Sequence, residues 1–156
     1  MIRHRSAIGA VSRVAHVAQF ARVGLAALFA LTACGGPVEP IPLPNGARTF
    51  VPEAVFRDWW HEMELCSGRT ARYDDVTWFV VPGEDPFRVP NHAAPVAGYW
   101  DPAANRIVVL QYLPNRRAPT IRHEALHAIL RRVNHPVAYF ETKCGPVITG
   151  PEAPYS

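Results

Sequence analysis

Residues 49–150 of this 156-residue chain predict a small α+β domain. Two stretches, 51–68 and the one that follows Asn115 and runs to Val133, carry apolar residues at three- and four-residue spacing, the period of an amphipathic helix. Between them lie three short runs rich in β-branched and aromatic residues, punctuated by Pro, Gly, Asp and Asn. Strands therefore gather in the middle of the domain, and helices flank them.

The first helix is expected over VPEAVFRDWWHEMELCSG, 51–68. Pro52 suits a first turn, and Gly68 can end the helix. Val55, Phe56, Trp59, Trp60 and Met63 share one face. The paired tryptophans are expected in the core, because the helix carries acids where a membrane-surface helix carries Lys and Arg. DDVTWFVVPG, 74–83, reads as a buried strand closed by Pro82-Gly83, and EDPFRVPNHAAP, 84–95, as an irregular loop. VAGYW (96–100) and RIVVLQYL (106–113) read as a hairpin, in a sheet that is short and antiparallel or mixed. Asp101 opens the intervening turn and Pro102 presets its φ. After Asn115 a long helix is expected, with Pro119 near its first turn and an apolar stripe of Ile121, Ala125, Ala128, Ile129 and Val133. Asn134 and Pro136 mark its end. A short helix over 137–142 and a disordered tail, 151–156, complete the chain.

The segment ahead of the domain has a different character. Residues 1–33 hold Arg3, Arg5, Arg13 and Arg22, no acid, and an apolar run from Val23 to Ala33. That is the pattern of a secretory signal, and the run is shorter than the roughly 20 residues a membrane span needs. Leu31-Thr32-Ala33-Cys34 resembles a bacterial lipobox. The resemblance implies that Cys34 is lipidated and becomes the mature first residue, anchoring the protein to a membrane without spanning it. Residues 34–48, with four prolines in GGPVEPIPLPNG, are then expected to be the lipid anchor and a semi-rigid tether. The expected location is the bacterial cell envelope, outside the cytoplasm. Gly35 is not the aspartate associated with inner-membrane retention, which favours the outer membrane in a Gram-negative cell.

Charge follows the same division. The chain is +3, from 16 basic and 13 acidic residues, but four basic residues fall in the signal. The remainder has 12 against 13, or −1, so the basic pI belongs to the targeting segment and gives no case for nucleic-acid binding. With Cys34 assigned to lipid, Cys66 and Cys144 are the one pair available for a disulfide.

RHEALHAILRRVNHP, 122–136, carries the chemistry. One helical turn separates His123 from His127, so both imidazoles face one way. Glu124 sits at the edge of that face, within reach of a metal-bound water without being a ligand. His123-Glu124-Ala125-Leu126-His127 resembles the HExxH motif of the zincin metallopeptidases, and the preceding hairpin and flanking helix resemble the small zincin core. The resemblance implies a Zn2+ cofactor, a zinc-bound water activated by Glu124 as general base, and a peptide or protein substrate. It also suggests Tyr139 as a hydrogen-bond donor to the developing oxyanion, a role Tyr99 and Tyr112 could equally fill.

A catalytic zinc takes three protein ligands and keeps one position open. On a helix continued straight, His135 would lie about 12 Å along the axis from His127. The helix must therefore stop near Arg132 or Val133 and reverse. Asn134 tolerates the left-handed conformation this needs, and Pro136 blocks continuation. His135 is the expected third ligand, and Glu141, from a following helix, is the alternative, with His61 and His92 behind them. The eight-residue spacing and missing glycine depart from the metzincin pattern HExxHxxGxxH. The implied function is a membrane-anchored zinc peptidase; the rival is a non-catalytic metal-binding or structural lipoprotein that serves as an assembly module.

Overall fold

The computed structural model describes residues 39–90 and 92–151; the expected signal, Cys34 and the chain beyond Pro151 lie outside the described residues. The element order is β1 (Arg48–Thr49), α1 (Ala54–Ser67), a 3-10 turn (Tyr73–Asp75), β2 (Thr77–Val81), β3 (Gly98–Asp101), β4 (Arg106–Leu110), α2 (Arg117–Leu130), a π-helical turn (Ala138–Lys143) and α3 (Gly145–Ile148). The domain is α+β, as the sequence predicts. Among the described residues no helix is long and apolar enough to cross a membrane.

The four strands form one mixed sheet in the order β1-β2-β4-β3. β3 and β4 make the expected hairpin, with Tyr99 opposite Val108. β4 pairs parallel with β2, from Thr77 opposite Arg106 to Val81 opposite Leu110. Both faces of β4 are covered, which explains its unbroken apolar run. Ile107 and Val109 face a layer built by Phe56, Trp59, Trp60 and Met63 of α1 and by Ile121, Ala125 and Leu126 of α2. Val108 and Leu110 face the opposite way, toward Val81, Val89 and Tyr99.

Several boundaries move relative to the sequence reading. Helix α1 starts at Ala54 because Glu53 is still extended (φ −66°, ψ 155°), so Pro52 belongs to the lead-in. Gly68 ends the helix in the left-handed conformation, its N–H on the Glu64 carbonyl at 2.9 Å. Asp74 and Asp75 are in the 3-10 turn and not the strand. β1 is too short to leave a period in the sequence.

Part of the expected tether packs on the domain. Ile41, Leu43 and Ala47 lie against the second apolar layer. The fully buried Asp101 explains their placement: its carboxylate accepts the N–H groups of Ile41 and Ala103, both at 3.0 Å, and pairs with Arg106 at 3.0 Å. Arg106 also donates to the Ile41 carbonyl. A buried carboxylate is tolerated only with such partners.

The expected disulfide is present. Cys66 and Cys144 are bonded across 78 residues, with Cα atoms 5.3 Å apart, and so clamp the last turn of α1 to the C-terminal segment. Closing so long a loop typically contributes about 2–4 kcal/mol. The paired substitution Cys66→Ala with Cys144→Ala is expected to lower unfolding free energy by that amount, read from urea denaturation, with a larger m-value because the denatured chain opens further without the cross-link.

Candidate metal centre

The site begins where α2 ends. The helix stops at Leu130, two to three residues sooner than the sequence suggested, and the left-handed residue is Arg131 (φ 53°), not Asn134. The Arg131 N–H bonds back to the Ala128 carbonyl at 3.4 Å and the Arg132 N–H to the His127 carbonyl at 3.2 Å. This is the Schellman pattern, with arginine where glycine is usual. A non-glycine residue there costs on the order of 1 kcal/mol. The Arg131 guanidinium offsets part of that by donating to Asn105 Oδ1 at 2.7 Å, which ties the reversal to the β3–β4 turn.

The early stop brings His135 home. Its Nε2 lies 2.9 Å from His123 Nε2 and 3.2 Å from His127 Nε2, and the helical pair are 3.2 Å apart. Three nitrogens bound tetrahedrally to one ion at 2.0–2.1 Å would be about 3.3–3.4 Å apart. The three imidazoles could therefore hold a metal ion with little adjustment. One shared cation satisfies all three lone pairs at once.

The sequence leaves the third ligand open among His135, Glu141, His61 and His92. His135 joins the pair, while Glu141 is exposed and outside the cluster. Tyr139 is not brought to the histidines. Its hydroxyl bonds to Arg69, and it lines a separate cavity. The reason is the π-helical turn after Pro136, which presents Phe140 to the triad. The Phe140 ring centre is 5.1, 4.6 and 4.7 Å from those of His123, His127 and His135, a packed apolar floor.

Hydrogen bonds around the cluster orient the imidazoles. His127 Nδ1 is 2.6 Å from the Arg132 carbonyl. A carbonyl only accepts, so Nδ1 carries the hydrogen and Nε2 presents its lone pair to the cluster. Burial pushes the pKa of His123 down to about 4, helped by His127 and His135. Burial likewise pushes His127 down to about 4; its bond to Arg132 opposes this, and His135 and His92 add to it. Both are neutral donors at neutral pH. Burial raises Glu124 to about 8, partly opposed by the backbone N–H of Trp100 that it accepts. A cation held by the adjacent histidines acts in the opposite direction.

Histidines and Glu124 open into one cavity of about 640 Å³. One wall is β3, an edge strand, and the other is the N-terminal half of α2. The two approach closely at Gly98, where a Cβ would sit 3.0 Å from Thr120 Cγ2. His92, Arg116 and Thr120 also line the space. The sequence reading weighed His92 only as a spare ligand and missed the other two as cavity residues. Arg116, Thr120, His123 and His127 recur at helical spacing, so one face extended backward would have found them; His92, in an irregular loop, leaves no such signal.

His123→Ala, His127→Ala and His135→Ala should each weaken binding of a divalent transition metal by more than the roughly 10–100-fold lost when a group that merely hydrogen-bonds a ligand is removed. Glu141→Ala should leave it unaltered. Competition with a chelator of known affinity measures both.

Compared with protein-family models, curated proteins and solved structures, the chain matches none.

Proposed function

We propose that this domain is a zinc-dependent peptidase of the zincin type, held at a bacterial membrane surface through lipid on Cys34. The observation that carries the reading is the convergence of three imidazoles with a carboxyl from the next residue, in one cavity along a sheet edge. Zinc bound there would act as a Lewis acid and lower the pKa of a bound water to about 7. His123, His127 and His135 supply three donors and leave the cavity side open. Glu124, beside them, would serve as the base for such a water and as the acid for the leaving amine.

β3 supports a peptide substrate. The Leu110 N–H bonds the Ala97 carbonyl at 2.9 Å, so by antiparallel alternation Gly98 and Trp100 direct their backbone groups away from β4. The Trp100 N–H is taken by Glu124. The Gly98 groups and the Trp100 carbonyl remain to pair with an extended chain laid along the edge. A peptide bound so would run past the histidines.

The second reading is a metal-holding module without hydrolytic activity. On its side stands the same bond: Glu124 is buried and engaged with Trp100, and must release it to act as a base. Glu124→Gln separates the two. On a peptide library, the zinc-loaded variant should lose about 10²–10⁴ in kcat while keeping stoichiometric zinc. A parent protein that holds zinc and cleaves nothing, or a variant as active as the parent, would support the second reading.

A further inference from the structure

Most of the arginines in the domain are engaged. Among the described residues, carboxylates pair with Arg57, Arg72, Arg106, Arg117 and Arg122. Arg48 and Arg131 donate to the side-chain oxygens of Gln111 and Asn105. Arg69, Arg88, Arg116, Arg132 and Lys143 have no carboxylate partner among the described residues, and three of them, Arg69, Arg132 and Lys143, gather in one place.

That place is a second cavity, of about 550 Å³, between the loop after α1, the end of α2 and the π-helical turn. Arg69 and Arg132 both line it, as do Thr70 and Tyr139. Arg69 hydrogen-bonds the Tyr139 hydroxyl, and the Lys143 ammonium lies 5.0 Å from the centre of the Tyr139 ring. Ile129 and Leu130 give it an apolar floor, and among the described residues no carboxylate lines it. Clustered like charges repel. A bound anion relieves the repulsion. Guanidinium forks match the oxygens of a tetrahedral oxyanion, and two hydroxyls add donors.

We propose that this cavity binds a phosphate group, held by Arg69 and Arg132 with the hydroxyls of Thr70 and Tyr139. The site stands back to back with the histidines, because Arg132 gives its side chain to the one and its carbonyl to His127 of the other. Occupancy therefore acts on the residue that orients a metal ligand. The phosphate can come from solution or from the headgroup of an anionic lipid; the recognising chemistry is the same.

The test titrates inorganic phosphate into the folded, disulfide-bonded protein by calorimetry, with side-chain NMR signals of Arg69 and Arg132 followed in parallel. Saturable one-to-one binding is expected. Arg69→Gln and Arg132→Gln should each weaken it about tenfold or more. Arg88→Gln, at an exposed arginine lining neither cavity, should not. A second arm sediments the protein with phosphatidylcholine vesicles, with and without phosphatidic acid. Phosphatidic-acid-dependent sedimentation lost in both variants supports the site with a lipid source; phosphate binding without it supports the site with a soluble one. The proposal is overturned if phosphate binds equally well to both variants, which would put it elsewhere, such as on a metal at the histidines. It is also overturned if neither phosphate nor phosphatidic acid binds.

Discussion

The geometry of this domain depends on two bonds exchanged between His127 and Arg132. The Arg132 N–H caps the His127 carbonyl and so closes the end of α2. The Arg132 carbonyl accepts the Nδ1 hydrogen of His127 and so sets which ring nitrogen faces the cluster. Helix termination and ligand orientation are thus one constraint. Had α2 run on by even one turn, His135 would have been carried away from the pair it joins, and the turn bearing Phe140 with it.

Supports converge on that reversal from three sides. Arg131 reaches Asn105, whose Nδ2 donates to the Asp75 carbonyl at 2.7 Å, so the hairpin turn and the 3-10 turn ahead of β2 brace the end of the helix. Phe140 packs under the imidazoles, and four residues later the disulfide fastens the same segment to α1. On the far side of His123, Arg122 is only 3% exposed yet fully engaged. It pairs with Glu62 of α1 at 2.7 Å and donates to the carbonyls of Gly150 and Pro151 at 3.2 and 3.4 Å. Buried charge so satisfied adds rigidity to the helix that carries the ligands, since each bond has few alternatives in a dry interior. A site held within fractions of an ångström needs such backing.

Much of this was legible in the sequence, for reasons that separate cleanly. The His123-Glu124-His127 spacing is local, and helical geometry alone puts the two imidazoles together. His135 was legible as a member of the cluster because a straight helix would strand it, and Asn134 and Pro136 promised a turn. The turning residue was misplaced because a left-handed arginine has no sequence signature; its cost is offset by a contact with Asn105, 26 residues earlier in the chain. Tyr139 and Phe140 could not be told apart by pattern, since a π-helical turn changes which residue faces inward. The parallel pairing of β2 with β4 and the docking of Ile41 under Asp101 are long-range choices, made by burial on both sheet faces.

The account rests on three imidazoles sharing one metal ion with one position left open, and X-ray absorption at the zinc edge of the zinc-loaded protein tests that most directly. Three imidazole nitrogens at about 2.0–2.1 Å with one additional light ligand from solvent is the predicted shell. A shell with two imidazoles or fewer, one containing sulfur, or one closed by four protein ligands would contradict it.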